Sequence, residues 1–98
     1  MGVRLDPEGT EPAALRRLVD FRNKRILEIG CGDGRLTWRY ASEAASVVAI
    51  DPLADEVRWA RRHTPKSLRH KVRFEVGHAE KLKYPDGSFD IVLYAWSI

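Results

Sequence analysis

The run Leu27-Glu28-Ile29-Gly30-Cys31-Gly32-Asp33-Gly34 joins an apolar segment to a stretch with helical spacing. Three glycines at such a junction have a chemical use. A tight reversal can take positive φ there, and a backbone without β-carbons lets a ligand lie directly against it. N–H groups at the start of the following helix would then receive an anionic group. Glu28, two residues before Gly30, is placed to accept from an ammonium group of the same ligand, directly or through water. Asp51 closes a second apolar run, Val47-Val48-Ala49-Ile50, where a carboxylate can accept hydrogen bonds from both hydroxyls of a ribose. Its structural alternative is to cap the helix that follows. Pro52 ends the run, and Leu53 would offer an apolar surface to a base.

Spacing narrows the ligand. Dinucleotide-binding turns use G-x-G-x-x-G, whereas these glycines fall as G-x-G-x-G, with Arg35 in the third dinucleotide position. Asp51 supports a nucleoside without saying which one.

The elements that must position these residues follow from pattern. Met1 to Gly9, with Pro7 and Gly9, reads as an irregular arm. Thr10 is a plausible N-cap, and Leu15, Leu18 and Val19 predict an amphipathic helix from Glu11 to about Phe21. Arg25 to Ile29 is a short strand, and Arg35 to Ala44 a helix with Leu36, Tyr40 and Ala44 on one face. Ser46 to Ile50 is apolar and β-branched, as a strand buried on both faces requires. Leu53 to His63 is the next helix. Val72 to Val76 alternates, which suits a strand near a sheet edge, and Phe89 to Ala95 is a final apolar strand after the Tyr84–Gly87 turn. Strands alternating with helices imply an α/β fold, a three-layer arrangement around a mostly parallel sheet with right-handed crossovers. Trp38 and Trp59 fall on helices as packing residues, Phe89 reads as core, and Asp90 as structural.

Bulk properties set the class. The 98 residues suffice for one domain, and 44% hydrophobic with 32% charged residues fits a folded globule. No apolar run reaches the roughly 20 residues of a membrane helix, and no signal peptide opens the chain, so a cytoplasmic protein without a membrane partner is expected. Cys31 is the lone cysteine, and His63, His70 and His78 form no ligand pattern with it, so no metal site is expected. The net charge of +3 gathers in Arg58, Arg61, Arg62, Lys66, Arg69, Lys71 and Arg73. A solvated face is the reading taken for this patch. No aromatic-plus-basic RNA motif accompanies it, which argues against a nucleic-acid partner.

With these residues in hand, the chain resembles the class I (Rossmann-like) S-adenosylmethionine-dependent methyltransferases, in their small-molecule methyltransferase-domain branch. Four segments carry the resemblance: LEIGCGDG at 27–34, VVAIDP at 47–52, VGHAEKL at 76–82 and YPDGSFDIV at 84–92. It implies that Glu28, Gly30, Cys31, Gly32 and Gly34 surround the methionyl and ribose moieties of S-adenosyl-L-methionine. It further implies that Asp51, Pro52 and Leu53 hold the ribose and adenine, that Ala79 presents its N–H to adenine, and that Tyr94 approaches the methionyl side. His78 stands where the family most often has aspartate. Its ring nitrogen or Glu80 would take over the adenine amino contact, or His78 is a loop residue without a role.

The implied reaction is in-line attack by a small-molecule acceptor on the methyl carbon, in which the protein positions the reactants and excludes water. No general base stands out. Trp96 and Ser97 lie where substrate contacts would begin. The resemblance also implies a seven-stranded sheet, ordered 3-2-1-4-5-7-6, of which this chain would supply four strands. Asp90 to Ala95 would then be an exposed apolar edge, open to self-pairing or covered by a partner chain. A fragment is the preferred explanation, and activity is not expected of it alone. The alternatives are a non-catalytic interaction module and, against the glycine spacing, half of an NAD-binding oxidoreductase.

Overall fold

A computed structural model of the chain describes residues 2–5 and 19–95. Five parallel strands form one sheet: β1 (Gly2–Leu5), β2 (Arg25–Ile29), β3 (Ser46–Asp51), β4 (Val72–Val76) and β5 (Ile91–Ala95), in the order β1-β5-β2-β3-β4. Two helices, α1 (Arg35–Tyr40) and α2 (Ala54–His63), connect β2 to β3 and β3 to β4.

The alternation of each strand separates two cores. Ile26, Val47, Ala49, Phe74, Ile91 and Leu93 face α1 and α2, meeting Leu36, Tyr40, Val57 and Ala60 in the larger cluster. Leu27, Ile29 and Ile50 face the opposite side, where Tyr84 and Phe89 of the β4–β5 connection cover them. The chain therefore steps from β2 to β4 with its helices on one face and returns to β5 across the other. That reversal of strand order at the β2/β5 boundary creates a crevice at the carboxyl ends of the strands, where open parallel sheets take ligands.

Several expectations are corrected. The opening residues are not wholly irregular: Gly2–Leu5 pairs in parallel with Val92–Ala95. β5 is thus hydrogen-bonded on both sides and presents no free edge for self-pairing. α1 ends at Tyr40, four residues early, because Ala41 to Ala44 turn back so that Ala45 N–H can donate to the Lys24 carbonyl (2.8 Å). Of the helix expected over 11–21, residues 11–18 lie outside those described. Val19 and Phe21 are buried but not helical, and Phe21 stacks on Tyr40 with centroids 4.4 Å apart. Trp96 and Ser97 also lie outside the described residues.

Other elements sit where the pattern puts them, with β4 at the sheet edge. Asp90 is structural. Its carboxylate accepts from the Arg25 N–H (2.8 Å) and guanidinium (3.0 and 3.2 Å), tying the entry of β5 to that of β2. Trp38 packs on the core, whereas Trp59 is 43% exposed and stacks on His63 instead. The basic residues from Arg58 to Arg73 are exposed except Lys71, which is half-buried and donates to the Ser42 and Ala44 carbonyls. Among the described residues no helix is long and apolar enough to cross a membrane.

Candidate functional site

β2 runs straight into the glycine turn. Gly30, Gly32 and Gly34 take φ of 82°, 55° and 89°, a region that side chains with a β-carbon adopt at a cost. The turn hangs from the end of β3, since Gly30 and Cys31 N–H both donate to the Ile50 carbonyl (2.8 and 3.0 Å). A β-carbon at Gly30 would come within 2.3 Å of the Ala95 carbonyl oxygen, so the carboxyl ends of β2 and β5 close on each other there. At Gly32 a β-carbon would meet nothing within 4 Å, so the backbone at that point is open to an incoming group.

Asp51 is 7% exposed and stitches the site together. One carboxylate oxygen accepts from the Gly32 N–H and the other from the Leu53 N–H, both at 2.9 Å. A carboxylate has about four acceptor positions, so these bonds leave room for further donors. α2 begins at Ala54 with no side-chain cap, so Asp51 braces the approach to the helix rather than capping it. Leu53 is 61% exposed beside the turn. A cavity of about 150 Å³ lies between Gly30–Asp33, Leu53 and Glu56.

Glu28 is fully buried on the α1 face of β2. One of its oxygens accepts from Thr37 Oγ1 (2.9 Å) and Tyr40 Oη (2.6 Å), while the other has no protein partner. Burial pushes its carboxyl up to about 7, against the lowering effect of the Tyr40 and Thr37 hydrogen bonds. Burial raises Tyr40 too, and the Glu28 charge adds to that. Cys31 lines the cavity, yet burial and the nearby Glu28 and Asp51 carboxylates push its thiol far up, so it is neutral and no nucleophile.

The remaining candidates are placed unevenly. His78 lies past the end of β4, joined to the site through the Gly77 N–H bond to the Asp51 carbonyl (3.1 Å). It lines a different cavity of about 370 Å³, with Ile50, Gly77, Leu82 and Tyr84. Ala79 and Glu80 are exposed in the short 3-10 turn after it, and Pro52 is exposed behind Leu53. Tyr94 is the register partner of Ile29, one residue before the turn; it alternates onto the face of Val92, away from α1, and is 41% exposed. Ala95 meets the turn through its backbone. Sequence reasoning missed it because alanine carries no functional group; only its place as the last residue of β5 marked it. Glu56, which lines the cavity at the turn, stands in the first turn of α2, three residues after its N-cap Leu53.

Residues 26–98, which contain the turn, Asp51 and both cavities, match the family described as methyltransferase domain. The chain belongs to the methyltransferase-domain family. It is 32% identical over 84 residues to an uncharacterized methyltransferase of Mycobacterium tuberculosis, a match covering 86% of this chain and 32% of that protein. The YcgJ protein of Bacillus subtilis superposes with a TM-score of 0.76 at 27% identity, over 85% of this chain and 36% of that one. A phosphoethanolamine N-methyltransferase of Haemonchus contortus, solved with phosphoethanolamine and S-adenosylhomocysteine, superposes at 0.72 and 26% identity, over 84% of this chain and 17% of that one. The chain thus spans about a third of the length of the curated relatives it matches.

Proposed function

We propose that this chain is the cofactor-binding portion of an S-adenosylmethionine-dependent methyltransferase that acts on a small-molecule acceptor. The observation that carries the reading is the joint between the open glycine turn and Asp51. The Gly32 N–H bond fixes the carboxylate beside backbone that no side chain covers. Family membership adds the reaction class, and a relative's fold seen with S-adenosylhomocysteine adds the cofactor.

In this reading Asp51 accepts from the ribose hydroxyls with its remaining lone pairs, and Leu53 lies against the adenine. The Gly30–Gly34 backbone borders the methionyl portion. The cavity at the turn is smaller than the roughly 300 Å³ at which pockets for drug-sized ligands begin, so it seats one moiety of the cofactor and not the whole. His78 and Glu80 remain candidates for the adenine amino group. When bound, S-adenosylmethionine supplies a methyl carbon already activated for attack. The chain's own contribution is to orient and shield, and Cys31 takes no part in covalent chemistry. A cytoplasmic setting belongs to the same proposal, and the single, buried thiol suits a reducing compartment.

The test is a titration of the isotopically labelled chain with S-adenosylhomocysteine, followed by amide NMR. Shifts at Gly30, Gly32, Asp51 and Leu53 that vanish in Asp51→Ala are expected, with NAD producing none. A well-dispersed spectrum that ignores S-adenosylhomocysteine would sink the reading in favour of a non-catalytic module, and a response to NAD would favour an oxidoreductase half.

A further inference from the structure

The buried carboxylate of Glu28 is the feature that packing alone does not explain. It lies in β2 between Ala49 of β3 and Leu93 of β5, beneath α1 and among apolar side chains. A buried carboxyl group is costly there, and one of its oxygens is left without a protein partner. A methionine of similar size would fill the space at less cost. What an apolar side chain cannot supply is direction.

Both of its partners sit on α1. Thr37 and Tyr40 are three residues apart, hence on one face of the helix, and both aim their hydroxyl donors at the same Glu28 oxygen. Glu28 is two residues before the first glycine of the turn, and α1 begins immediately after the last. The two hydrogen bonds therefore close a ring that contains the whole turn. α1 has only six residues, too few to hold its own geometry, and van der Waals contact from Leu36 and the Phe21–Tyr40 stack tolerates rotation about the helix axis. Two convergent hydrogen bonds do not.

We propose that Glu28 is a positioning residue, locking α1 against β2 through Thr37 and Tyr40 and so holding the Gly30–Gly34 turn in its ligand-receiving shape, without touching the ligand. The link to ligand binding rests on the turn being the cofactor seat; the link to turn geometry does not. Cys31 and Tyr40 are its titratable neighbours in the buried layer, and the Asp51 and Glu56 charges reach Cys31 as well.

Amide exchange and S-adenosylhomocysteine affinity of the full chain test this together. In Thr37→Val combined with Tyr40→Phe, which removes both donors at nearly constant volume, the amides of Cys31 to Leu36 should exchange at least about tenfold faster, the worth of one of the two hydrogen bonds lost. Those of β3 and β4 should stay as they were. Affinity for S-adenosylhomocysteine should fall by about the same factor. Glu28→Gln keeps an oxygen that accepts both bonds, so its turn amides should exchange no faster relative to those of β3 and β4 than in the unmodified chain, and its affinity should stay within about twofold. Tyr40→Phe alone serves if the double variant does not fold. Turn amides indifferent to loss of the donors would overturn the proposal. So would faster exchange spread evenly over β3 and β4, since that is the mark of a merely structural group. If even the unmodified chain fails to bind S-adenosylhomocysteine, the cofactor reading falls, and the exchange measurement still decides whether Glu28 holds the turn.

Discussion

Replacing Glu28 by glutamine should change how stability depends on pH, in a direction opposite to that of most acidic residues. In the folded chain the Glu28 carboxyl titrates at about 7, against 4.5 for an ordinary glutamate. A raised acid means that the folded state binds the proton more tightly than the unfolded one. Its contribution is fully present below about pH 4.5 and is lost as pH rises toward 7. The difference between the two values corresponds to about 3 kcal/mol. Glutamine cannot ionise, still accepts from Thr37 and Tyr40, and carries only a pH-independent cost of about 1–3 kcal/mol for its unpartnered amide hydrogens. The two stability curves should therefore converge or cross, with the variant the weaker at pH 5 and equal or stronger at pH 8. Urea unfolding of both proteins from pH 4.5 to 8.5 measures this directly. Cys31 and Tyr40, the groups that feel the Glu28 charge, are both pushed up out of this window, so the difference curve isolates Glu28. For a chain of this length about 3 kcal/mol would also move the melting midpoint by about 10–20 °C. A difference that stays constant across the window would refute the argument, because it would mean that Glu28 is ionised, or water-filled, throughout.

The glycines should separate stability from binding. Gly30→Ala drives a β-carbon against the Ala95 carbonyl at 2.3 Å and into a left-handed backbone, so a loss of about 3 kcal/mol is expected in urea unfolding. Gly32→Ala meets no neighbour and should cost only about 1 kcal/mol, yet weaken S-adenosylhomocysteine at least about tenfold by calorimetry if the ligand rests on that backbone. The Arg25 hydrogen bonds hold Asp90 down to about 2, so its contribution is present above about pH 4 and disappears as pH falls through 2. Asp90→Asn should blunt that part of the acid unfolding transition, followed by circular dichroism. Deleting residues 1–5 bares one side of β5, and size-exclusion chromatography should then show more association than in the intact chain.

The sequence alone determined the strands from Arg25 onward, their parallel α/β arrangement and the seat of the glycine turn. Those features are local: hydrophobic period, β-branched runs and the φ freedom of glycine act within a few residues and need no partner. It also marked Asp51 as the end of its strand and Leu53 as the start of the helix after it, because an element's terminus is visible in its own pattern, and it read Asp90 as structural. Tertiary structure decided what depended on which way a residue faced and what stood opposite. Strand alternation carries Glu28 under α1, where Thr37 and Tyr40 meet it, and Tyr94 onto the opposite face of the sheet. The cavity that His78 lines, with Ile50, Leu82 and Tyr84, exists only because three separate stretches of chain meet there. The pairing of Gly2–Leu5 with β5 spans nearly the whole chain, and four residues read alone carry no signal of so distant a partner. Ala95 reaches the site by its carbonyl, a group every residue has. Only the approach of two strand ends singles it out.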